Sequence, residues 1–309
     1  MKTLIFLTKQ IRWSDNKPFK NRLTDKAFSL FTEIADENKI KVYFSSPSKY
    51  KDETFTSAWT KEDKGKWKKE EKSIKNVDFV YSYLIYTRKN IVFLNKLKKY
   101  HKIINDPEFT DLCFDKYKIS QLILEKDHPQ TFLVKNKEQY KRALKKIKTE
   151  KAVIKPRFGL RGRDVKLITK NNEWEDCDED MIVQEFIETS GGLKKGFRSD
   201  FRVMMINSAI DHAYLRVPEK KEFKANCSLG AKKIFVKNIP EEIKKIVFQI
   251  DKNLKKYSPR IYSVDFLLSQ KGKFLVLELE SMPGFYFYQW NEGKRIKYLN
   301  NIFQAINKI

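Results

Sequence analysis

The residues best suited to chemistry in this chain lie between Ser263 and Gly284, SVDFLLSQKGKFLVLELESMPG. Two runs, Ile261–Leu268 and Lys273–Glu280, read as strands joined by a short turn at Gly272. Val264, Phe266, Phe274, Val276 and Leu277 suit a pleated, half-buried surface. Asp265, Glu278 and Glu280 interrupt these apolar runs. Residues two apart on a strand share a face, so Glu278 and Glu280 project side by side, and pairing about Gly272 brings Asp265 near them. Three crowded carboxylates repel, and burying them is costly unless a cation compensates. A hard divalent ion with oxygen ligands, Mg²⁺ above all, meets that need. A solvated hairpin face with ordinary charges accounts for these residues equally well.

A second stretch, Lys151–Ile168, reads KAVIKPRFGLRGRDVKLI. Strand-like runs Ala152–Lys155 and Asp164–Ile168 flank a tight loop holding Gly159 and Gly162. Glycines there let backbone N–H groups approach a ligand closely, and Lys155, Arg157, Arg161 and Arg163 surround them with positive charge. A phosphate chain suits this loop; so does a plain hairpin with a long turn, since the spacing is not that of a P-loop. Met181–Glu188, MIVQEFIE, is an apolar strand ending in polar groups, able to offer its backbone to an adenine edge. Ser199–Pro218 reads as two alternating strands about Asn207-Ser208, a hairpin signal, with Asp200, Arg202 and Arg216 as its charged positions. Asn226 lies in another small loop.

These residues need a scaffold. At 309 residues, with 41% hydrophobic content, 23 Phe and 14 Tyr, the chain can bury a large core in two or three subdomains. The early apolar run Leu4–Leu7 is followed by Lys9, Arg12 and Asp15, which makes it a first strand and not a signal peptide, and no run is long enough to span a membrane. Cys113, Cys177 and Cys227 fit no metal-ligand spacing and imply a reduced, cytoplasmic protein. The net charge of +24, from 64 Lys plus Arg against 40 Asp plus Glu, is dispersed. It reads mainly as a lysine-rich surface, and nucleic acid is not the expected partner.

Short apolar strands at Leu4–Leu7, Lys41–Ser45, Val77–Leu84 and Lys102–Asn105, with helices at Thr24–Asn38 and Ile91–Tyr100, predict an open α/β layer with parallel strands. Thr24 is the expected N-cap of the first helix. The charged segment Lys49–Ser73, with Trp59 and Trp67, reads as a surface excursion. Further on, Asp115–Lys126 predicts an amphipathic helix ended by His128-Pro129. Asn136–Lys148 predicts another, opened by Asn136 and Gln139, and Ile239–Tyr257 a long third.

In order, IND…DK…P-x-T, KPRFGLRGRDV, VQEFIE, DFRV…LRVP, N…G and VDFLL…LELESMPG resemble the ATP-grasp superfamily. The nearest pattern is the branch holding ribosomal-protein glutamate ligase, the lysine-biosynthesis amino-group-carrier ligase and glutathione synthetase. The resemblance covers roughly Ile104 to Phe285. It implies an ATP-grasp fold, α/β with an α+β ATP-binding part, behind an N-terminal open α/β domain. The expected divisions are 1–104, then 105–188 with the phosphate loop and hinge, then 189–309 with the metal site.

The resemblance also implies roles. Lys116 and Lys155 look like the lysines that hold nucleotide phosphates, and Gly159, Gly162 and Arg163 belong to the loop closing over them. Glu185, Phe186 and Ile187 look like the adenine hinge, and either Glu188 or Asp200 meets the ribose. Arg202 and Arg216 look like the arginines that neutralise the transferred phosphoryl group. Asp265, Glu278 and Glu280 look like magnesium ligands, with Asn226 lining the same site. One position departs: the family usually reads Glu-x-Asn where this chain has Glu278-Leu279-Glu280. The implied cofactors are ATP and Mg²⁺, two ions, with Mn²⁺ as a substitute. The implied reaction joins a small-molecule or peptide carboxylate to an amine through an acyl phosphate, releasing ADP and phosphate. An ATP-binding regulatory module, or a ligase that modifies an acidic peptide or protein, stands as the alternative, and the chain is compatible with a homo-oligomer.

Overall fold

The alternation of strand and helix expected near the start is present in the computed structural model, which describes residues 1–62, 65–159, 162–218, 231–284 and 292–308. The elements are β1 (Lys2–Leu7), α1 (Arg22–Glu37), β2 (Ile40–Ser45), β3 (Tyr50–Lys51), β4 (Thr54–Phe55), β5 (Ala58–Lys61), β6 (Trp67–Glu70), β7 (Phe79–Ser82), α2 (Arg88–Leu97) and β8 (Lys102–Ile104). Six strands form one sheet in the order β6-β5-β2-β1-β7-β8. The four from β2 to β8 run parallel, with β5 and β6 antiparallel at one edge. Leu4, Ile5, Phe6 and Leu7 of β1 are all fully buried, as a parallel strand covered on both faces requires.

Two expectations for this region need correction. The first helix starts two residues earlier than Thr24, because Asn21 is its cap: Asn21 Oδ1 accepts from the N–H groups of Leu23 and Thr24 at 2.9 and 3.1 Å. The segment Lys49–Ser73 is not a surface excursion. It contributes β5 and β6 to the sheet, and every residue of β5 is buried. The lysines hid this. Lys61 is buried because its ammonium lies 3.4 Å from Glu33 and over the Trp67 ring.

A second compact unit comprises Asp111–Lys256 and Tyr262–Ser281; the first comprises Met1–Thr110, Tyr257–Ile261 and Met282–Ile309. Past β8 come α3 (Pro107–Phe114), α4 (Lys116–Leu122), β9 (Thr131–Val134), α5 (Lys137–Lys146), β10 (Lys151–Pro156), β11 (Lys166–Thr169) and β12 (Met181–Glu185). Then follow β13 (Asp200–Ile206), β14 (Ala209–Val217), β15 (Lys232–Val236), α6 (Glu241–Leu254), β16 (Ile261–Leu268) and β17 (Phe274–Glu280). One sheet has the order β11-β10-β12-β9, the other β15-β14-β13-β16-β17. The chain ends in α7 (Glu292–Asn307), whose Phe303 meets Phe31 of α1 with ring centroids 4.8 Å apart in the first unit.

The helix expected over Asp115–Lys126 is shorter, ending at Leu122. Ile123 leaves it with extended dihedrals and is buried, and Glu125–Asp127 makes a separate 3₁₀ turn. The preceding α3 was not foreseen, although Pro107 at its first position and Asp106, whose Oδ1 accepts from Glu108 N at 2.8 Å, are ordinary start signals. Asn136 caps α5 as expected, accepting from Gln139 N at 2.9 Å. The expected hairpin about Asn207 forms, with that residue at φ +50°. No helix among the described residues is long and apolar enough to cross a membrane.

Candidate functional site

Strict alternation along β17 places Phe274, Val276, Glu278 and Glu280 on one face, which would force carboxylates into the apolar layer. An extra residue prevents this. Phe266 pairs with Val276 but its neighbour Asp265 pairs with Glu278, so Leu277 has no counterpart on β16. The bulge changes the phase of the strand. Phe274, Val276 and Leu279 share a face with Val264 and Phe266, and all five are buried. Glu278 and Glu280 share the other with Asp265 and Ser263 and are only half-buried, apart from the fully buried Asp265 and Ser263. The three expected metal ligands therefore lie on one face.

Asp265 is also claimed by arginines. On the adjoining hairpin β13 pairs Asp200 with Arg216 of β14, and Arg202 lies two residues along on the same face. Arg202 Nε and Nη2 donate to the two Asp265 oxygens at 2.6 and 2.7 Å. Arg216 grips Asp200 in the same two-pronged way at 2.6 and 2.7 Å, and its Nη2 also donates to Asp265 Oδ2 at 2.5 Å. The result is a buried ladder, Arg202–Asp265–Arg216–Asp200, in which each charge is matched by bidentate hydrogen bonds. Burial pushes the Asp265 carboxyl up, but Arg202 and Arg216 outweigh it and hold the group below its ordinary range. Asp200 goes the other way: burial, with the Asp265 charge adding to it, outweighs Arg216 and raises it to about 6.

The expected phosphate lysines converge from two elements. Lys116 opens α4, just after the buried cap Asp115, which accepts from Lys118 N at 3.1 Å. Asp115 also takes Arg157 through Nε and Nη2 at 2.8 and 2.6 Å, and Arg157 Nη1 reaches Asp180 at 3.0 Å. Arg157 is thus a strut tying α4 to the end of β10, not one of the charges open to a ligand. It sets Lys116 Nζ 2.8 Å from the carbonyl of Gly159. Lys155 projects from β10 and donates to Gln184 Oε1 on β12 at 2.9 Å. Gln184 in turn donates to Thr131 of β9 at 2.8 Å. Burial lowers Lys155 to about 8, with the nearby charge of Lys116 in the same sense and that of Glu278 opposing. Burial lowers Lys116 as well, against Glu278, Glu280 and Asp115. The charge of Glu278 thus acts on both ammoniums, and that of Glu280 on Lys116.

Gly162 stands at φ +68°, a left-handed conformation that glycine adopts freely, and Arg163 is exposed. Arg161 and Asn226 lie outside the described residues. At the far end of β12, Glu185 N donates to Gln130 O and Phe186 N to Lys151 O. Glu188 is held by Arg198, whose Nε and Nη2 donate to it at 2.9 and 2.8 Å; this pairing, against burial, takes the carboxyl down to about 2. Arg198 also lies over the Phe186 ring. Asp115, Asp180, Gln184 and Arg198 escaped sequence reasoning because each acts through a partner on another segment, 10 to 42 positions away. His128 is buried, and burial lowers it to about 4.

Among the described residues no three acidic, imidazole or thiolate groups converge as a preformed metal cage. The donor chemistry still fits a hard cation. Glu278 and Glu280 stand side by side, and Mg²⁺ ordinarily takes one or two carboxylates and completes its shell with phosphate oxygens and water.

A protein-family model described as "RimK-like ATP-grasp domain" matches residues 113–302. The chain belongs to the RimK-like ATP-grasp family. A probable alpha-L-glutamate ligase of Legionella pneumophila (strain Corby) is 29% identical over 179 residues, 55% of this chain and 56% of the relative. The chain thus spans about half the length of the curated relatives it matches. Among solved structures, D-cycloserine synthetase DcsG aligns over 98% of this chain and 99% of its own, with TM-score 0.67 at 12% identity. A Chryseobacterium gregarium RiPP-associated ATP-grasp ligase, in complex with ADP and a leader and core peptide, aligns over 100% and 98% with TM-score 0.65 at 16% identity. At such identities the likeness shows the ATP-grasp fold alone. Within the family frame, the ladder, the lysines and the β17 carboxylates balance, with Lys116, Lys155, Arg202 and Arg216 against Asp200, Asp265, Glu278 and Glu280.

Proposed function

We propose that this protein is an ATP-dependent carboxylate–amine ligase. The observation that carries the reading is the pair of lysines at the Gly159 loop, with Lys155 buried against Gln184 and Lys116 half-buried on the Gly159 carbonyl, both lowered by burial and opposed by the charge of Glu278. An anion of several charges offsets the cost that burial imposes on these ammoniums, and a triphosphate accompanied by two divalent ions preserves the balance described above. Lys116 and Lys155 hold the phosphates, and the loop of Gly159, Gly162 and Arg163 covers them. Glu185, Phe186 and Ile187 meet the adenine. Glu188 is the better placed of the two ribose candidates, since Asp200 belongs to the buried ladder. In this reading 105–188 holds the nucleotide and 189–309 supplies the metal ligands.

Glu278, Glu280 and, once released by its arginines, Asp265 would hold Mg²⁺, with Asn226 beside them. When bound there, Mg²⁺ would supply neutralisation of the phosphate charge. A substrate carboxylate oxygen attacks the γ-phosphorus and the bond to the ADP oxygen breaks, giving an acyl phosphate. The amine then forms the C–N bond as phosphate leaves, and its proton passes to solvent or to phosphate. Arg202 and Arg216, freed from Asp265 as the ion takes that carboxylate, would stabilise the charge that grows on the transferred group. A peptide is a candidate substrate, in line with the RiPP-associated ligase that shares the fold.

ADP release with Mg·ATP across a panel of amino acids and acidic peptides, with products read by mass spectrometry, tests the reading. A product heavier than its amine by one acyl residue is expected. ATP binding with no substrate-dependent ADP release would favour the regulatory-module alternative.

A further inference from the structure

Ser263 stands on the carboxylate face with no role in the reaction as described. Its side chain is fully buried, and its Oγ has no hydrogen-bond partner among the described residues. A buried hydroxyl without a partner lowers stability where an apolar residue of similar size would not, so its presence calls for a partner in another state of the site. The register supplies one. Ser263 pairs across the strands with Glu280, and the bulge at Leu277 keeps both on the face of Asp265 and Glu278. Opposed side chains on antiparallel strands have Cβ atoms about 4.5–5.5 Å apart, which a side-chain rotation of Glu280 closes to hydrogen-bond distance. A serine hydroxyl donates one hydrogen bond, and a carboxylate only accepts.

We propose that Ser263 is a positioning residue for Glu280: when nucleotide and divalent ion are bound, its Oγ–H donates to one carboxylate oxygen and leaves the other to face the ion. This rests on the ligase reading above. The need for such a donor follows from the departure at Glu280. An asparagine, usual there in the resembling family, carries its own N–H donor, whereas glutamate brings a second acceptor and a full charge. That charge lies in the fields of Lys116 and Arg202 together, which draw it toward different elements. A donor on the facing strand, itself immobile in the sheet, fixes one orientation.

The test uses the full chain with ADP and measures Mn²⁺ binding by electron paramagnetic resonance, alongside thermal unfolding without ligands. Ser263→Ala is expected to weaken Mn²⁺ binding about tenfold, as loss of an outer hydrogen-bond partner of a metal ligand does. The ligand-free protein should melt at the same temperature or higher. In a Glu280→Ala background, Ser263→Ala should change the residual Mn²⁺ affinity less than about twofold, because the acceptor that couples the two positions is gone. Equal Mn²⁺ affinity for Ser263→Ala and wild type overturns the proposal, as does an equal loss in both backgrounds. A fall of several degrees in the melting temperature of Ser263→Ala also overturns it, by revealing a purely structural bond. Wild type that binds no Mn²⁺ with ADP would overturn the metal reading itself, a result distinct from one confined to Ser263.

Discussion

Replacing Lys155 by methionine should strengthen the ligand-free protein while weakening its hold on ATP. The Lys155 ammonium is buried and falls from 10.5 to about 8 chiefly because burial disfavours its charge. At 1.36 kcal/mol per pKa unit this corresponds to about 3 kcal/mol lost at pH 7 by keeping the charge inside. Methionine matches the length and removes that penalty. It also leaves Gln184 Oε1 without its donor at 2.9 Å, which costs about 1–2 kcal/mol. The net gain is therefore about 1–2 kcal/mol, read as a higher urea midpoint with unchanged slope. The pH dependence checks the cause. Between pH 8 and 10.5 the unfolded chain keeps this proton and the native protein has lost it, so wild-type stability rises with pH across that window. Lys155→Met should lack this rise. Calorimetry should show ATP affinity reduced by at least tenfold, since a charge-assisted phosphate contact is lost. A destabilised Lys155→Met that binds ATP as wild type does would refute both the burial argument and the phosphate role.

Arg157→Ala removes the strut between Asp115 and Asp180 and leaves the fully buried Asp115 carboxylate without its guanidinium. A loss of about 3–5 kcal/mol is expected by chemical denaturation, and a loss under 1 kcal/mol would show that the strut is not needed. Glu280→Ala should cripple Mg²⁺-dependent turnover while Glu280→Asn retains much of it; equal rates for Ala and wild type in an ADP-release assay would remove Glu280 from the ligand set.

The order of chemical residues could be read from the chain, but what holds them could not. Asp265, Glu278 and Glu280 were legible as a group because strand alternation and a glycine turn are local. Their common face was not, because it depends on Leu277 having no partner, and a bulge is a property of two strands. The conflict was nonetheless visible: Phe274, Val276, Glu278 and Glu280 cannot share one face of a half-buried strand. Lys155 and Arg157 looked alike in sequence. The fold separates them, pairing Arg157 with Asp115, 42 positions away, and leaving Lys155 with a neutral amide. The strand Ala58–Lys61 is hidden in the sequence because its buried lysine and the exposed lysines beyond it read alike as a solvated segment, and Lys61 is reconciled with burial by Glu33 and Trp67.

The central claim is that a carboxylate is activated as an acyl phosphate. Hydroxylamine added to protein, Mg·ATP and candidate carboxylates should intercept that species, giving the hydroxamate of the true substrate together with an equal amount of ADP. Chromatographic detection of AMP and pyrophosphate in place of ADP would contradict it, because attack would then have occurred at the α-phosphorus and the lysine and arginine roles assigned above would be wrong.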